Sequence, residues 1–452
     1  MMRLIKTGNN DVLKILSPHP EEGSVYRPSS YLLQFEIDDG LLLYNTLSGE
    51  LVLLDGQEKD VFERLPLRFR PELQELIGHH FVITQREFDK EAVIVEQLRS
   101  VMLRRKENTG VINHYNILPT TACNARCFYC YESSMPQISM TRETADRLVE
   151  YIKAHHGGKK AFLSWFGGEP TLGETRIDQI CSGLRSARIA YESTMTSNAY
   201  LFDEALVMKA KEDWLLKRIQ ITLDGTEQTY IKTKSYVGIH DNPYERVLRN
   251  IGLLLGAGIH VDIRLNLDKH NADDLKTLIE ELYGRFRGEK NLFVYVWRLE
   301  EEKGFEPIRH SKEEWDEVQR QWIDLQQLLE EKGWLQIQTD TLPVLRTHSC
   351  MADNPQMIQC APDGTFGKCE DKIFEHTVGS LEEGIVDKDQ IRWWKERKMY
   401  EDCPSCPLFP SCDLLLKHCP AEYKICYDDR KERKIAAYHK LMKNIYSEQK
   451  EN

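Results

Sequence analysis

From residue 115 onward, apolar positions follow two alternating periods. Short runs with strand-like patterning fall at 115–118, 160–165, 189–196, 218–223, 260–267 and 292–299. Between them, apolar residues recur at helical spacing over 143–155, 174–187, 203–213, 244–256 and 272–285. Six strands alternating with five helices predict a parallel sheet, because parallel neighbours need crossover connections. Six units are too few for the usual eight-fold barrel. On pattern alone, an open (β/α)6 barrel and a doubly wound sheet fit equally.

The flanks read differently. Residues 30–54 hold three strand-like runs, with turn signals at Asp38-Asp39-Gly40 and Leu47-Ser48-Gly49. Helical patterns follow near 57–64, 71–77 and 88–102, and the charged stretch 104–110 (RRKENTG) reads as a linker. An amphipathic helix is expected over 311–334 and a charged one over 428–446. Beyond residue 341 regularity gives way to cysteines, prolines and turns, a composition that metal clusters would organise. The expected units are therefore 1–104, a barrel at 105–309, a linker helix at 310–340 and a cysteine-rich module at 341–452.

Composition narrows the chemistry. At 452 residues the chain accommodates two or three domains, and a net charge of -12 argues against general binding to nucleic acid or anionic membranes. The N-terminal stretch lacks a signal-peptide core, and no apolar run is long enough to span a bilayer, so a cytoplasmic location is expected. The 12 cysteines are unevenly placed: three between 123 and 130, eight between 350 and 426, and Cys181 alone on a helical stretch, where it reads as core. Such clustering in a large chain points to metal or catalysis rather than to disulfides.

Cys123, Cys127 and Cys130 can wrap one corner of an iron–sulfur cubane and leave the fourth iron without a protein ligand. An open metal position suits chemistry at the metal. The competing structural reading is a zinc knuckle with a distant fourth ligand such as His114. CNARCFYC resembles the C-x3-C-x-aromatic-C loop of radical S-adenosylmethionine (SAM) enzymes, with Tyr129 as the aromatic. The resemblance implies a [4Fe-4S] cluster, S-adenosylmethionine as cofactor, a 5'-deoxyadenosyl radical and the partial barrel of the two folds above.

Further motifs carry the same resemblance. Trp165-Phe-Gly167-Gly168-Glu169-Pro170 resembles the family's GGEP motif, which holds the methionine amino group. Ser197 and Asn198 end the third strand, where relatives contact the ribose. Thr222 and Asp224 end the fourth strand, and Arg264 lies on the fifth, in positions that flank the cofactor in the family. All fall at carboxyl ends of strands, where parallel α/β proteins place their sites.

Cys350, Cys360, Cys369, Cys403, Cys406, Cys412, Cys419 and Cys426 suffice for two tetrathiolate clusters. Their spacing resembles the SPASM extension of peptide- and protein-modifying radical enzymes, departing where six residues separate Cys412 from Cys419. The resemblance implies a first auxiliary [4Fe-4S] cluster on Cys350, Cys369 and Cys419, with or without Cys360, and a second on Cys403, Cys406, Cys412 and Cys426. With the first cluster, that makes three. A zinc ribbon is the alternative. Glu370, directly after Cys369, matches an acid that sulfatase-maturating relatives place there as a base; an exposed turn carboxylate is the alternative.

The N-terminal strands and helices resemble the winged-helix-like RiPP recognition element of peptide-modifying enzymes. There a leader peptide adds as a strand to an open sheet edge, for which 50–54 (ELVLL) is the candidate. The resemblances together imply a maturase of a ribosomally made precursor peptide, forming a thioether between a cysteine sulfur and a carbon. Carbon–carbon cross-linking, epimerisation and sulfatase maturation are the alternatives. The implied partners are the precursor peptide and an electron donor such as flavodoxin or ferredoxin. On this reading, deleting residues 1–104 removes leader binding and spares cofactor cleavage.

Overall fold

The computed structural model describes residues 2–239, 241–299, 301–302, 306–307, 312–334, 342–397, 399, 401–412, 417–418 and 428–451. Cys419 and Cys426 lie outside the described residues.

The N-terminal part opens with β1 (Arg3–Lys6), α1 (Asn10–Leu16), β2 (Val25–Pro28), β3 (Leu32–Ile37), β4 (Gly40–Asn45) and β5 (Leu51–Leu54). After them come α2 (Gly56–Glu63), β6 (Leu67–Arg68), α3 (Gln74–Gly78), β7 (Val82–Thr84), α4 (Gln85–Phe88) and α5 (Glu91–Glu107). One antiparallel sheet has the order β1-β5-β4-β3 and a smaller one the order β6-β2-β7. Residues 51–54 are therefore not an edge, since β1 pairs with β5 through Leu4 and Val52. The edges of that sheet are β1 and β3.

Alternate side chains of a strand point to opposite faces. Leu41, Leu43, Val52 and Leu54 pack with Phe62, Leu76 and Ile77 of α2 and α3. Leu42, Tyr44, Leu51 and Leu53 pack instead with Leu342, Leu408, Met442 and Tyr446 from the far end of the chain. Both faces are covered, which is why these strands read as nearly continuous apolar runs. The linker expected at 104–110 is helical as far as Glu107, where α5 ends.

Six parallel strands follow: β8 (His114–Thr120), β9 (Ala161–Gly167), β10 (Tyr191–Ser197), β11 (Leu216–Leu223), β12 (His260–Leu267) and β13 (Leu292–Arg298). They lie side by side in sequence order. A doubly wound sheet reverses its order at a switch point; this one does not, and the partial barrel is the observed form. The helices between the strands are α6 (Arg142–His155), α7 (Glu174–Ser186), α8 (Glu204–Glu212), α9 (Glu227–Lys234), α10 (Pro243–Gly256) and α11 (Ala272–Phe286). Cys181 lies fully buried in their common core.

A hairpin, β14 (Glu301–Glu302) with β15 (Glu306–Pro307), leads to α12 (Lys312–Glu331). α12 is not a linker. Val318, Leu325 and Leu329 join the barrel core, and Trp322 Nε1 donates to the Val296 carbonyl of β13 at 3.1 Å. The apolar stripe of α12 thus closes the sixth β/α unit.

The cysteine-rich module is joined to the barrel by backbone pairing. β16 (Met357–Cys360) runs parallel to β8, with Met357 opposite His114 and Cys360 opposite Ile117. β17 (Thr365–Gly367), β18 (Gly379–Ser380) and β19 (Gly384–Ile385) extend the same sheet antiparallel. α13 (Lys388–Trp394) and α14 (Asp428–Glu451) complete the described elements.

Candidate active site

Three cysteines follow the carboxyl end of β8. A backbone amide fixes the first of them: Ala125 N–H points at Cys123 Sγ at 3.3 Å. Burial pushes the Cys123 and Cys130 thiols up to about 12, and also raises Cys127. As free groups they would stay protonated at neutral pH; bound iron is what turns buried thiols into thiolate ligands. This chemistry fits a cluster rather than a free nucleophile. Among the described residues, no three His, Cys, Asp or Glu side chains converge on a point that would hold a single metal ion. In a cubane, by contrast, each cysteine has its own iron. The fourth ligand named for the zinc reading is remote as well. His114 begins β8 and stacks on Phe162, a strand's length of about 20 Å from the cysteine loop.

The glycine pair after β9 lies directly on this loop. Gly167 has φ +105, and a Cβ there would sit 2.3 Å from the Thr120 carbonyl oxygen; one at Gly168 would sit 2.4 Å from that of Ala122. Only glycine permits so close an approach. The contact is sealed by Gly168 N–H to Thr120 O at 3.2 Å and Glu169 N–H to Ala122 O at 2.9 Å.

Glu169 is fully buried, and its carboxylate is a strap between strand ends. Oε1 accepts from Thr171 N–H at 3.1 Å, Thr171 Oγ1 at 2.5 Å and Ser197 Oγ at 2.8 Å. Oε2 accepts from Asn198 N–H at 2.8 Å. Oε1 thus takes three of the four bonds and Oε2 one. Asn198 turns its side chain to the loop, donating to Asn124 Oδ1 at 2.7 Å. The motifs after β9 and β10 are thereby tied to each other and to the cysteine loop.

A second network closes the other side. Tyr129 OH donates to Asp224 Oδ1 at 2.8 Å, and Asn266 Nδ2 donates to the same oxygen at 2.9 Å. Arg264 Nε donates to Asn266 Oδ1 at 2.8 Å. Lys234, at the end of α9, reaches Asp224 Oδ2 at 3.1 Å and donates to Tyr129 OH at 3.1 Å. Burial opposes the charge on Lys234, but Asp224, Tyr129 and Cys127 together hold its pKa well above the ordinary lysine range. It is a fixed buried cation beside the cysteine loop. The same segment clamps that loop through its backbone, Arg126 N–H to Lys234 O at 2.8 Å and Val237 N–H to Asn124 O at 2.9 Å. Thr222 and Arg264 are paired in register and half-exposed, facing the open interior with Tyr295 alongside.

Glu370 is half-buried at the start of a short 3-10 turn after Cys369. It and Asp371 lie close enough to the cysteine loop to act on Tyr131 and Glu132. Burial, then Glu370, then Asp371, push the Glu132 carboxyl up to about 8. Glu132, two residues past Cys130, and Lys234 are site residues that sequence patterning misses; only the position of Glu132 inside the loop hints at a role.

The remaining cysteines divide into groups. Cys350 and Cys369 pack together against Ala352 and Trp394. Cys360 does not join them: it is fully buried in β16 within the barrel core, and burial raises its thiol further. The register places Cys360 opposite Ile117 of β8. Cys403, Cys406 and Cys412 pack around Phe409 against Val12, Tyr31, Val95 and Leu98 of the N-terminal part.

Residues 117–282, from β8 to α11, match the model of the Radical SAM superfamily. Within this stretch lie the cysteine loop, the Gly167–Glu169 turn, Asp224 and Arg264. Among curated proteins the chain is similar to the GTP 3',8-cyclase of Clostridium perfringens (strain SM101), 28% identical over 210 residues, 44% of this chain and 60% of that protein. It is also similar to the sporulation killing factor maturation protein SkfB of Bacillus subtilis (strain 168), 26% identical over 185 residues, 39% of this chain and 42% of that protein. The chain spans about half the length of the curated relatives it matches. Among solved structures, anSMEcpe with bound AdoMet and the Cp18Cys peptide shares the fold, with a TM-score of 0.54 at 15% identity over 74% of this chain and 99% of that one. No helix among the described residues is long and apolar enough to cross a membrane.

Proposed function

We propose that this chain is a radical SAM maturase of a ribosomally made precursor peptide, joining a cysteine sulfur to a carbon of a second residue. The observation that carries this reading is the edge-on union of the cysteine-rich module with the barrel. β16 pairs with β8, and the turn after Cys369 stands against the loop of Cys123, Cys127 and Cys130. A radical site with further cysteine ligands close beyond the strands of the same sheet suits a reaction that must both start a radical and remove an electron.

In this reading Cys123, Cys127 and Cys130 hold a [4Fe-4S] cluster whose open iron takes S-adenosylmethionine, and the pair supplies one-electron cleavage and hydrogen abstraction when bound. Gly167, Gly168 and Glu169 position the methionine end, Ser197 and Asn198 the ribose. Tyr129, Thr222, Asp224 and Arg264 line the remaining wall. Cys350, Cys369 and Cys419 hold one auxiliary cluster, without Cys360, and Cys403, Cys406, Cys412 and Cys426 the other. Glu370 serves as base for a substrate proton, with Glu132 as its neighbour. A flavodoxin or ferredoxin supplies electrons. The leader is read by strand addition at β3 or β1, the edges of the N-terminal sheet.

The relatives support a peptide substrate. One is named as a maturation protein and the structural neighbour holds AdoMet with a peptide.

The test is incubation of reduced, anaerobically reconstituted enzyme with S-adenosylmethionine and a cysteine-containing precursor peptide. A mass loss of two hydrogens with one thiol no longer alkylatable supports the thioether. The same loss with every thiol intact assigns a carbon–carbon link, unchanged mass with deuterium uptake an epimer, and an aldehyde product sulfatase-type maturation. Absence of 5'-deoxyadenosine sinks the radical reading.

A further inference from the structure

A groove of about 930 Å³ lies between α5 and α13, outside the site described above. Residues Gly110 to Ile112, just before β8, line it, so it opens at the end of the sheet away from the cysteine loop. The length of β8, about 20 Å, separates the two. Nothing seated here touches the residues around Glu169 and Asp224.

Its walls carry seven arginine and lysine side chains against two glutamates, in a protein whose net charge is -12. Four of these side chains are engaged internally, and burial lowers the pKa of one of them, Lys368, to about 7. Arg99 donates to the carbonyls of Arg346, Phe409 and Pro410, and Lys368 to those of Asn354 and Met357. Lys395 pairs with Glu107, and Arg397 with Asp353. The other three point to solvent: Arg104 and Lys388 form no ion pair among the described residues, and Arg392 meets only its helix neighbour Asp389. A local positive field in an acidic protein selects an anionic partner and steers it in.

The wall itself says what that partner does. α13 presents Lys388, Ile391 and Arg392 to the groove, while its Trp394 packs with Cys350 and Cys369. Lys368, next to Cys369 in the chain, lines the groove too. One short helix separates the groove from the cysteine pair.

We propose that this groove docks an acidic one-electron carrier protein, which exchanges electrons with the cluster held at Cys350 and Cys369. The inference rests on the reading that those cysteines ligate a cluster. In the proposed thioether formation the C–H bond breaks as its hydrogen atom passes to the deoxyadenosyl radical, the thiol proton passes to a base, the C–S bond forms, and one surplus electron is left on the product radical. That electron passes to the auxiliary cluster and then to the oxidised carrier; the transfer to the carrier makes or breaks no bond. The carrier so reduced can supply the electron that the next cofactor cleavage consumes.

The experiment uses the reconstituted holoenzyme with flavodoxin as the probe. Affinity is measured for oxidised flavodoxin, and electron transfer by stopped flow from the hydroquinone. The triple variant R104E/K388E/R392E is expected to lose at least about tenfold in both, and the wild type to weaken between about 50 and about 300 mM salt. Reduction by dithionite, iron content and circular dichroism should be unchanged, as should flavodoxin binding by the control K153E on the exposed side of α6. Flavodoxin binding indifferent to the triple reversal overturns the docking site. So does a variant that loses affinity for an oligoglutamate peptide while keeping flavodoxin transfer, which assigns the groove to an acidic peptide instead. Iron unchanged in Cys369→Ala overturns the cluster reading beneath, and with it the electron exchange, whatever the binding shows.

Discussion

At the scale of single residues, the site depends on carboxylates whose partners are fixed. Glu169 accepts four hydrogen bonds while fully buried. In Glu169→Gln the amide must turn a donor either toward Asn198 N–H or toward the donors of Thr171 and Ser197. A buried donor facing a donor costs about 1–3 kcal/mol. We expect a lowered melting temperature together with loss of 5'-deoxyadenosine formation, read by thermal unfolding and chromatography; normal melting with only catalysis lost would show that the strap carries no stability. The GGEP letters were legible in the sequence, but the strap was not, because Ser197 and Thr171 become its partners only when β9 and β10 lie side by side. Lys234 was invisible for a related reason: α9 (EQTYIKTK) has almost no apolar stripe to reveal a helix.

His80 gives a second prediction at this scale. It is 2% exposed at positive φ, its Nε2 has no partner, and burial depresses its pKa to about 4. Folding therefore favours the neutral ring, while the unfolded chain protonates near 6.5. Stability from this residue is complete above pH 6.5, erodes below it, and is lost once pH falls through about 4, a total of about 3 kcal/mol. His80→Asn, which tolerates positive φ, should flatten urea midpoints between pH 7 and pH 4; an unchanged slope would remove His80 as the cause.

At the scale of elements, strands and helices with a clear period were readable, and those made by long-range pairing were not. The six barrel strands stood out because each is apolar on the face under the helices. β16 has four residues, MIQC, among cysteines and turns, too short to show a period; its strand character comes from pairing with β8. Missing it left Cys360 open as a ligand. With the register known, the two cysteines separate. Cys360→Ala should keep the full iron content, at a modest stability cost from the small cavity, whereas Cys369→Ala should lose about four irons per chain. Iron and sulfide analysis decides; loss of iron in Cys360→Ala would put that residue back among the ligands. α12 went unrecognised as a barrel helix on similar grounds, since its apolar stripe was plain but not the β13 surface that receives it.

At the scale of the whole molecule, the sequence suggested a detachable N-terminal unit, and the packing contradicts it. One face of the β1-β5-β4-β3 sheet is closed by Leu342, Leu408 and α14, and Cys403, Cys406 and Cys412 sit against α5 and its neighbours. Arg99 of α5, 1% exposed, binds three carbonyls of the C-terminal part. Sequence separation hid this union, because neither partner shows a period pointing at the other. Deleting residues 2–104 therefore does more than remove a recognition unit. It uncovers Met442, Tyr446 and Phe409, and burying one such side chain contributes roughly 1.5–3 kcal/mol. The barrel core is separate and should persist. We expect the truncated protein to keep a protease-resistant barrel and the first cluster, and to lose iron from the module holding Cys403, Cys406 and Cys412. Arg99→Met is the milder version: three carbonyls lose their donor and the fold should weaken by several kcal/mol. Limited proteolysis with iron counting separates the outcomes. If the truncated chain retained all its iron and its C-terminal region stayed resistant, the N-terminal part would be the independent unit that its sequence suggests.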